Sequence, residues 1–569
     1  MRRALLFVAA IILADPAAAA RSTITDLQPN TFTATLTPKS GAAIGSVRLT
    51  NLNTRFNIWY LLAVRWPGEQ RFHTFHLENP APERFSYHVD PAFAEGLLIK
   101  DGDKQYPCSL WNNNLSELRS AARSNKSFVS ICQQRVMVRN TTAGKETTTE
   151  FVADFLRNNV WGGEQITGLV KDYIYKDKFL ITSNTQRAAH TAPASANSSS
   201  TARPRSAAID ANNKNITIDA EDLGIELARA DPARMHVGQW YDTKASPHIF
   251  VSAIQPRFIE RSILTTQTQR VKRLDAIEKT ATVYLAAFKL SKFDLGFALG
   301  TLHPAAGWSY RAPKKLKSSG KPGPDGIANY QPLVMVGKVN PVNAPKVAAV
   351  FAGGFKRTHG AFKWGRLSQV NQASHYGFRV NGVTFSTLQP DLATLLIYRD
   401  GKVGMKTWQD ADNKSLPTII HARQNGVPII EWDATSQQGI PGEFVSDWGK
   451  GNWSGSAQRE QRTLRAATCL QQVNGESYLI FGYFSSVTPN SIARVFQAYH
   501  CRYAFHLDMN GLEHTYLAVY VKQEKTFRTQ YLVEGMKVLD RKEKGTGTLV
   551  PRFLGTADNR DFFYVMEKD

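Results

Sequence analysis

Short segments in which apolar and polar residues alternate predict β-strands in the first third of the chain. The segments SVRLTNL, NIWYLLAVRW and RFSYHV, which begin at Ser46, Asn57 and Arg84, alternate in this way and carry many β-branched and aromatic residues. Farther on, TEFVADFLRNNV and EQITGLVKDYIY space their apolar residues as a helix does. We therefore expect a β-rich N-terminal domain over residues 21–185, with helices at its C-terminal end.

Residues 186–214 interrupt this pattern. They are rich in Ala, Ser, Thr, Pro and Asn and nearly lack large apolar side chains. Such a segment cannot bury enough surface to offset the entropy lost on ordering. We expect a flexible linker there, then a connecting segment over residues 215–280 and a C-terminal domain over residues 281–569.

Tight turns punctuate the apolar segments of the C-terminal domain. The segment KVAAVFAGGFK predicts a buried strand that ends at Gly353 and Gly354, where a backbone without Cβ atoms can turn sharply. Two longer segments, YGFRVNGVTF and RTLRAATCLQQVNGESYLIFGYF, each carry an Asn-Gly pair between strand-like arms. Because Asn-Gly readily adopts positive φ angles, both segments predict β-hairpins.

A helix follows the second hairpin. In TPNSIARVFQAYH, Thr488 is suited to cap the helix and Pro489 to occupy its first turn. The apolar residues then recur at i, i+3, i+4 and i+7, namely Ile492, Val495, Phe496 and Tyr499.

The strand after this helix, CRYAFHLD, ends at Asp508. A β-α-β crossover makes the two strands that flank the helix parallel, which brings Arg462 and Asp508 to the same edge of the sheet. Ligands of open α/β units bind beyond the carboxyl ends of parallel strands, and Asp508 occupies such an end. The expected fold class is α+β, with a mixed sheet in the C-terminal domain.

The first twenty residues have the three parts of a secretory signal. Arg2 and Arg3 precede the apolar run ALLFVAAIILA, and the small residues Ala17–Ala20 follow it. An uncleaved membrane anchor is the alternative, although the apolar run is short for a span. We expect a signal peptide over residues 1–20, a secreted or periplasmic protein, and no stable membrane insertion.

Cysteine usage agrees with export. The chain has four cysteines, which allow three pairings, and none lies in a CxxC motif, so a cysteine zinc site is not expected. Neighbourhood in the sequence favours Cys108 with Cys132 and Cys469 with Cys501.

The formal net charge of +21 favours anionic partners. We expect a phosphorylated glycan or an envelope polysaccharide, because these are what an exported protein meets. Nucleic acid is not expected, since the chain carries no zinc-finger, RNA-recognition or leucine-zipper motif.

The order of the segments VFAGGFK, YGFRVNGVTF, LLIYRDGKVGMKTW, QRTLRAATCL and FHLDMNG resembles the phosphodiester glycosidase family. The resemblance runs from about Ala281 to Tyr520. The chain departs from the family pattern in two places: Ala352 stands where the family has Asn, and LDMNGLEHT replaces a run of three glycines and the serines after it. The matching residues are Gly353, Gly354, Phe355, Arg462, Thr463, Leu507, Asp508 and Gly511.

This resemblance implies a hydrolase that splits a sugar from its phosphate at the anomeric carbon. Arg462 would stabilise the phosphate with help from the backbone N–H groups of Gly353 and Gly354, although a surface salt bridge is an equal alternative for Arg462. Asp508 would orient the sugar or activate water, with Glu513 as a second carboxylate, while the alternative for Asp508 is capping of a turn.

Further residues complete the expected substrate site. They are Thr463, Asp447 and Trp448, of which the last two lie in the Trp- and Gly-rich segment SDWGKGNWSG. His506, Asp508 and His514 offer nitrogen and oxygen ligands, but an i, i+2 pair on a strand is weak evidence for metal, so neither a metal nor another cofactor is expected.

Two functions therefore remain open, and with them the question of whether the chain is an enzyme. The first is a secreted hydrolase of sugar-1-phosphodiesters. The second is a non-catalytic protein that binds an anionic glycan or the cell envelope.

Overall fold

The computed structural model describes residues 23–37, 44–111, 115–147, 151, 177–188, 203–228, 234–318, 320–362, 365–446, 452–453, 462–523, 526–543, 545 and 547–568. The expected signal peptide lies outside these ranges, and so do both expected helical segments of the N-terminal domain apart from Phe151.

Two antiparallel sheets form the N-terminal region and share one apolar core. Val47 and Leu49 face this core together with Tyr87 and Ile99 from the other sheet, as the alternating pattern requires. The order of the first sheet is β1-β2-β3-β4-β9-β8 and that of the second is β5-β6-β7. The elements are β1 (Phe32–Leu36), β2 (Ser46–Asn51), β3 (Trp59–Arg65), β4 (His73–Glu78), β5 (Phe85–Asp90), β6 (Phe93–Asp101), β7 (Lys104–Cys108), α1 (Ser116–Ala122), β8 (Phe128–Ile131) and β9 (Val136–Arg139).

The next strands tie the middle of the chain to the C-terminal region. The described ends of residues 186–214 make defined contacts: Arg187 pairs with Ile216, and the Ala208 N–H donates to the Ala498 carbonyl at 2.9 Å. One small sheet has the order β10-β11-β12. The elements are β10 (Thr185–Arg187), β11 (Ile216–Asp219), β12 (Arg234–His236), β13 (Tyr241–Asp242), β14 (Ile249–Ile254), α2 (Arg261–Thr265) and α3 (Ala276–Thr280).

The C-terminal region completes the strands and helices. Its elements are β15 (Val283–Lys289), β16 (Phe293–Ala298), β17 (Val347–Ala352), β18 (Ala361–Phe362), α4 (Gly365–Val370), β19 (Phe378–Val380), β20 (Val383–Ser386), β21 (Ala393–Tyr398), β22 (Val403–Thr407), β23 (Ile419–Gln424), β24 (Pro428–Asp433), β25 (Gln438–Pro441), β26 (Asn452–Trp453), β27 (Thr463–Val473), β28 (Glu476–Val487), α5 (Pro489–Ala498), β29 (Tyr503–Met509), β30 (Leu517–Gln523), β31 (Thr526–Tyr531), β32 (Arg541–Lys542), β33 (Leu549–Val550) and β34 (Phe562–Glu567). Short 3-10 helices lie at Ile24–Leu27, Ala211–Asn213, Pro256–Phe258, Lys314–Leu316, Ala344–Lys346, Arg357–His359, Asp410–Thr418, Leu512–His514 and Glu534–Leu539.

Three large sheets stack on one another in this region. An eight-stranded sheet has the order β13-β14-β15-β28-β27-β29-β24-β25, and two five-stranded sheets have the orders β16-β34-β17-β30-β31 and β20-β19-β23-β21-β22. Aromatic rings join the layers. Phe351 of β17 packs on Phe481 of β28 with ring centroids 5.4 Å apart, and Phe297 of β16 packs on Phe378 of β19 at the same separation.

The expected α+β class with a mixed sheet is wrong, because the protein is β-rich and its strands pair antiparallel throughout the described ranges. One physical reason is that sheets pack against sheets where helices were expected to cover them. A second is that the chain, after helix α5, forms a strand that is separated from the preceding strand by a third strand, so the two do not pair. Strands β28 and β29 do run parallel to each other, but β27 lies between them and pairs antiparallel with both.

Several local predictions are confirmed. Both Asn-Gly turns have positive φ at each residue and join hairpins β19–β20 and β27–β28. Both disulfides form as expected, Cys108 with Cys132 and Cys469 with Cys501, and disulfides fit a secreted protein. Thr488 stands at the start of α5, but its hydroxyl donates to Glu278 at 2.6 Å and does not cap the helix.

None of the helices in the described part of the chain is long and apolar enough to cross a membrane.

A buried histidine on β23 makes stability depend on pH. The N–H of Asn381 donates to His421 Nδ1 at 3.3 Å, and burial followed by the charge of Arg379 lowers the pKa of His421 to about 3. Because the pKa is lower in the folded state, the stabilising contribution is complete above the unfolded value near 6.5 and is lost as the pH falls towards 3.

We predict that His421→Gln makes the protein less sensitive to acid between pH 6.5 and pH 4.5. The parent loses about 1.4 kcal/mol of unfolding free energy per pH unit through this one ring, a loss that the variant does not share. Urea unfolding of both proteins across this pH range measures the difference in slope, and equal slopes would contradict the prediction.

Candidate functional site

Polar side chains gather where β17, β23 and β29 end and where β34 begins. Gly353 and Gly354 follow β17, Asn425 follows β23, and Asp561 precedes β34. Three sheets of the fold contribute these strands, so residues far apart in the sequence meet in one place.

The two glycines are explained by the charged groups that touch them. A Cβ atom on Gly353 would lie 2.3 Å from Asp561 Oδ2, and one on Gly354 would lie 2.9 Å from Arg423 Nη2. Gly354 also has a φ of +138°, which side chains rarely adopt. The Gly353 N–H donates to the Asp561 carbonyl at 2.9 Å, so it is already used within the protein.

Asp561 is the centre of a fully buried ion network. Arg423 Nε donates to its Oδ2 at 3.0 Å, and His303 Nδ1 contacts its Oδ1. Both side chains also donate to the Phe355 carbonyl, Arg423 through Nη2 at 2.9 Å and His303 through Nε2 at 2.9 Å. Burial alone would raise the pKa of Asp561, but His303 and Arg423 outweigh it and hold the pKa below its usual value.

Asp508 belongs to a second array, which Arg560 organises. Arg560 Nη1 donates to Asp508 Oδ2 at 2.5 Å, and Arg560 Nη2 donates to His514 Nε2 at 2.7 Å. His514 Nδ1–H donates to the Met509 carbonyl at 2.6 Å, which leaves Nε2 as the acceptor. Glu513 Oε1 lies 3.8 Å from the same Nε2. Asp508, Arg560, His514 and Glu513 therefore form one connected cluster of side chains.

The amide of Asn425 connects the glycine turn to β29. Its Oδ1 accepts from the Phe355 N–H at 3.1 Å, while its Nδ2 donates to the carbonyls of His506 and Leu507, each at 2.5 Å. Phe355 also stacks on the ring of His506 with centroids 4.9 Å apart. The turn after β17 is thus fixed next to the end of the strand that carries Asp508.

His506 faces a different partner from Asp508. Its Nε2 lies 3.3 Å from Arg465 Nη1, and burial followed by the Arg465 charge lowers the pKa of His506 well below 6.5. Burial likewise lowers the pKa of Arg465 to about 9. In the described ranges no group of three or more His, Cys, Asp or Glu side chains could hold a metal ion.

The remaining expected site residues divide into three cases. Arg462 pairs with Asp177 at 3.1 Å and Asp275 at 2.5 Å, so its recorded partners are these two carboxylates and not the Asp508 array. Thr463 lies close to the array, because its Oγ1 donates to Asn510 Oδ1 at 2.9 Å. Asp447 and Trp448 lie outside the residues that the structure describes.

The altered motif after Asp508 adapts to its backbone. Asn510 has a φ of 77°, a conformation that Asn tolerates better than other residues with a side chain. The Met509 side chain is buried, and its Sδ lies 3.1 Å from Arg465 Nη1. The Met509 side chain therefore contacts Arg465 and not Arg560.

Sequence reasoning missed five residues that shape this region. Arg560 and Asp561 stand in the charged run DNRD directly before the apolar strand FFYVME, a position like that of Asp508 but reversed along the strand. This run was a usable signal. The other three, His303, Arg423 and Asn425, carry no signal in their local sequence.

Comparisons with known proteins give only weak similarity. No family model matches the chain, and no curated protein matches it. The catalytic domain of zebrafish N-acetylglucosamine-1-phosphodiester alpha-N-acetylglucosaminidase, auto-inhibited by its pro-peptide, is 10% identical with a TM-score of 0.30, over 57% of this chain and 85% of that one.

Two bacterial structures are similar at the same level. A putative exported protein from Burkholderia pseudomallei is 10% identical with a TM-score of 0.20, over 50% of this chain and 74% of that one. A hypothetical protein from Synechocystis is 10% identical with a TM-score of 0.25, over 89% and 97%. Similarity this weak carries no argument about function.

We predict that Arg423→Gln destabilises the protein by about 3–5 kcal/mol, because it removes the guanidinium that pairs with the buried carboxylate of Asp561. The matched control is Arg399→Gln, which removes an exposed pair with Glu83 and should cost less than about 1 kcal/mol. Chemical unfolding of both variants measures the two costs. A cost for Arg423→Gln no larger than that of the control would show that the network is not structural.

Proposed function

We propose that the protein is an exported hydrolase that cleaves a sugar-1-phosphodiester at its anomeric bond, with Asp508 and Arg560 at the reaction centre. The observation that carries this proposal is the Arg560 guanidinium, which Asp508 and His514 hold from two sides at 2.5 Å and 2.7 Å. A fixed guanidinium beside a carboxylate supplies both groups that the reaction needs.

In the reaction, a water oxygen forms the new bond to the anomeric carbon as the bond from that carbon to the phosphate oxygen breaks. The products are the free sugar and a phosphate monoester. Because a phosphate monoester is a good leaving group, it needs stabilisation of its charge more than protonation. The proton released by water passes to a carboxylate.

Arg560 takes the phosphate-binding role that the sequence pattern assigned to Arg462. Planar guanidinium groups bind phosphate oxygens with two parallel hydrogen bonds. Arg462 already has two carboxylate partners, which offset its charge, whereas Arg560 shares its guanidinium between one carboxylate and an imidazole. Arg560 is therefore the guanidinium that lies directly beside Asp508 at the end of β29.

Asp508 accepts the proton of the attacking water or orients the sugar, as expected from its position at the end of β29. Glu513 is the second carboxylate, because its Oε1 lies 3.8 Å from His514 Nε2, the same atom that Arg560 Nη2 contacts. His514 is a positioning residue: its Nδ1–H is engaged by the Met509 carbonyl, so its Nε2 holds the guanidinium in place.

Export and an anionic substrate have independent support. The disulfides between Cys108 and Cys132 and between Cys469 and Cys501 fit an oxidising compartment. The formal net charge of +21 favours a phosphorylated glycan or an envelope polysaccharide over a neutral substrate.

We predict that Asp508→Asn and Arg560→Gln each lower kcat on sugar-1-phosphodiesters by at least about 100-fold, because each removes a group that acts on the transition state. Release of the phosphate monoester from methyl phosphodiesters of glucose, mannose and N-acetylglucosamine measures the rate.

The matched control is Asp325→Asn. It alters a buried carboxylate that lies 2.7 Å from Arg357 Nη1 and is not part of the Asp508 array. The folded fraction of the Asp325→Asn protein should have a kcat within about threefold of the parent value. Loss of activity in Arg462→Gln but not in Arg560→Gln would overturn the assignment of the phosphate site. An inactive parent that still binds the glycan would favour the non-catalytic binding protein.

A further inference from the structure

A cavity of about 690 Å³ lies between the N-terminal region and the C-terminal sheets. One wall comes from residues 125–128 and 142–145, and the other from residues 338, 341, 541 and 555–557. We call it the basic cleft. It shares no lining residue with the Asp508 array.

The charges that line the basic cleft all have one sign. Lys126, Lys145, Lys338 and Arg541 line it, and no Asp or Glu is among its described lining residues. Within the described ranges none of the four forms an ion pair. Lys145 and Lys338 donate instead to the backbone carbonyls of Leu539 and Gly555, the second at 3.1 Å.

Two of these lysines are held in an environment that disfavours their charge. Burial and then the charge of Arg552 lower the pKa of Lys145, and burial lowers the pKa of Lys338. Asp558 and Asp540 raise the pKa of Lys145 in part but do not offset its burial, so an anion placed between the two lysines adds negative charge where it stabilises both.

Hydroxyl groups in the same cleft have hydrogen-bonding capacity to spare. In the described structure Thr556 Oγ1 is buried and has no hydrogen-bond partner. Ser127 Oγ and Thr142 Oγ1 share one hydrogen bond of 2.9 Å, so one of their two protons is left over. Phosphate oxygens accept from hydroxyls and from lysine ammonium groups alike.

The size and lining of the cleft favour a particular class of anion. Its volume is within the usual range for small-molecule sites and exceeds what one phosphate fills. Sites for single-stranded nucleic acid provide aromatic platforms on which bases stack. Among the described lining residues of this cleft Phe128 is the one aromatic residue, and it is only 9% exposed. The cleft therefore suits a saccharide with charged groups better than a chain of bases.

We propose that the basic cleft binds the phosphate groups of a saccharide chain, and that the N-terminal region thereby contributes Lys126 and Lys145 to glycan binding. This binding does not depend on hydrolysis at Asp508. It gives the N-terminal region a role: one stretch of a phosphorylated glycan is held in the cleft by residues from both parts of the chain.

The test is calorimetric titration of the full chain with a phosphomannan oligosaccharide. The variant Lys126→Glu/Arg541→Glu reverses two exposed charges of the cleft. The control Lys104→Glu/Lys414→Glu reverses two exposed charges elsewhere and has the same net charge. We expect binding at least tenfold weaker in the cleft variant, binding within twofold of the parent in the control, and no binding of neutral mannan.

Three results would overturn the proposal. Equal weakening in the two variants would show that only overall charge matters, and unchanged binding in the cleft variant would show that the glycan binds elsewhere. Tighter binding of a single-stranded oligonucleotide of equal charge, lost in the cleft variant, would assign the cleft to nucleic acid. A smaller dependence of affinity on salt in the cleft variant would support it, because fewer charge contacts remain to be screened.

Discussion

The buried carboxylate of Asp561 is the interaction on which the functional end of the fold depends. It joins Arg423 of β23 to His303 of the segment after β16, and both of these side chains also bind the carbonyl of Phe355. Three chain segments from two sheets are therefore fixed by one anion. Removing a partner from such a buried charge is costly, so the network holds its geometry strictly.

The glycine turn after β17 follows from this network. Gly353 and Gly354 leave room for the Asp561 carboxylate and the Arg423 guanidinium against the backbone. The sequence interpretation gave these glycines to a ligand, whereas their contacts here are with the protein itself. The turn places the Phe355 N–H against the amide of Asn425. That amide also donates to two carbonyls of β29 next to Asp508.

Local sequence predicted the local structure of this chain well. The Asn-Gly turns, the helix after Thr488 and the two disulfides depend on neighbouring residues or on simple pairing, and all were found. The prediction of an α+β class was wrong because it required knowing whether helices or other sheets pack on each sheet. That depends on long-range packing such as Phe351 on Phe481, which no local pattern reveals.

The candidate site was predictable only in part for the same reason. Asp508 was placed at a sheet edge by counting strand directions, and the parallel relation of β28 and β29 agrees with that count. Its partner Arg560 is 52 residues away in the sequence. A strand count cannot rank Arg560 above Arg462, because partner choice is decided by side-chain geometry.

The most direct test of this account is a crystal structure of the protein with a C-glycosyl phosphonate, which mimics a sugar-1-phosphodiester but cannot be hydrolysed. We expect phosphonate oxygens on the Arg560 guanidinium and the Asp508 carboxylate beside the anomeric carbon. A phosphonate bound at Arg462, or away from both Asp508 and Arg560, would contradict it.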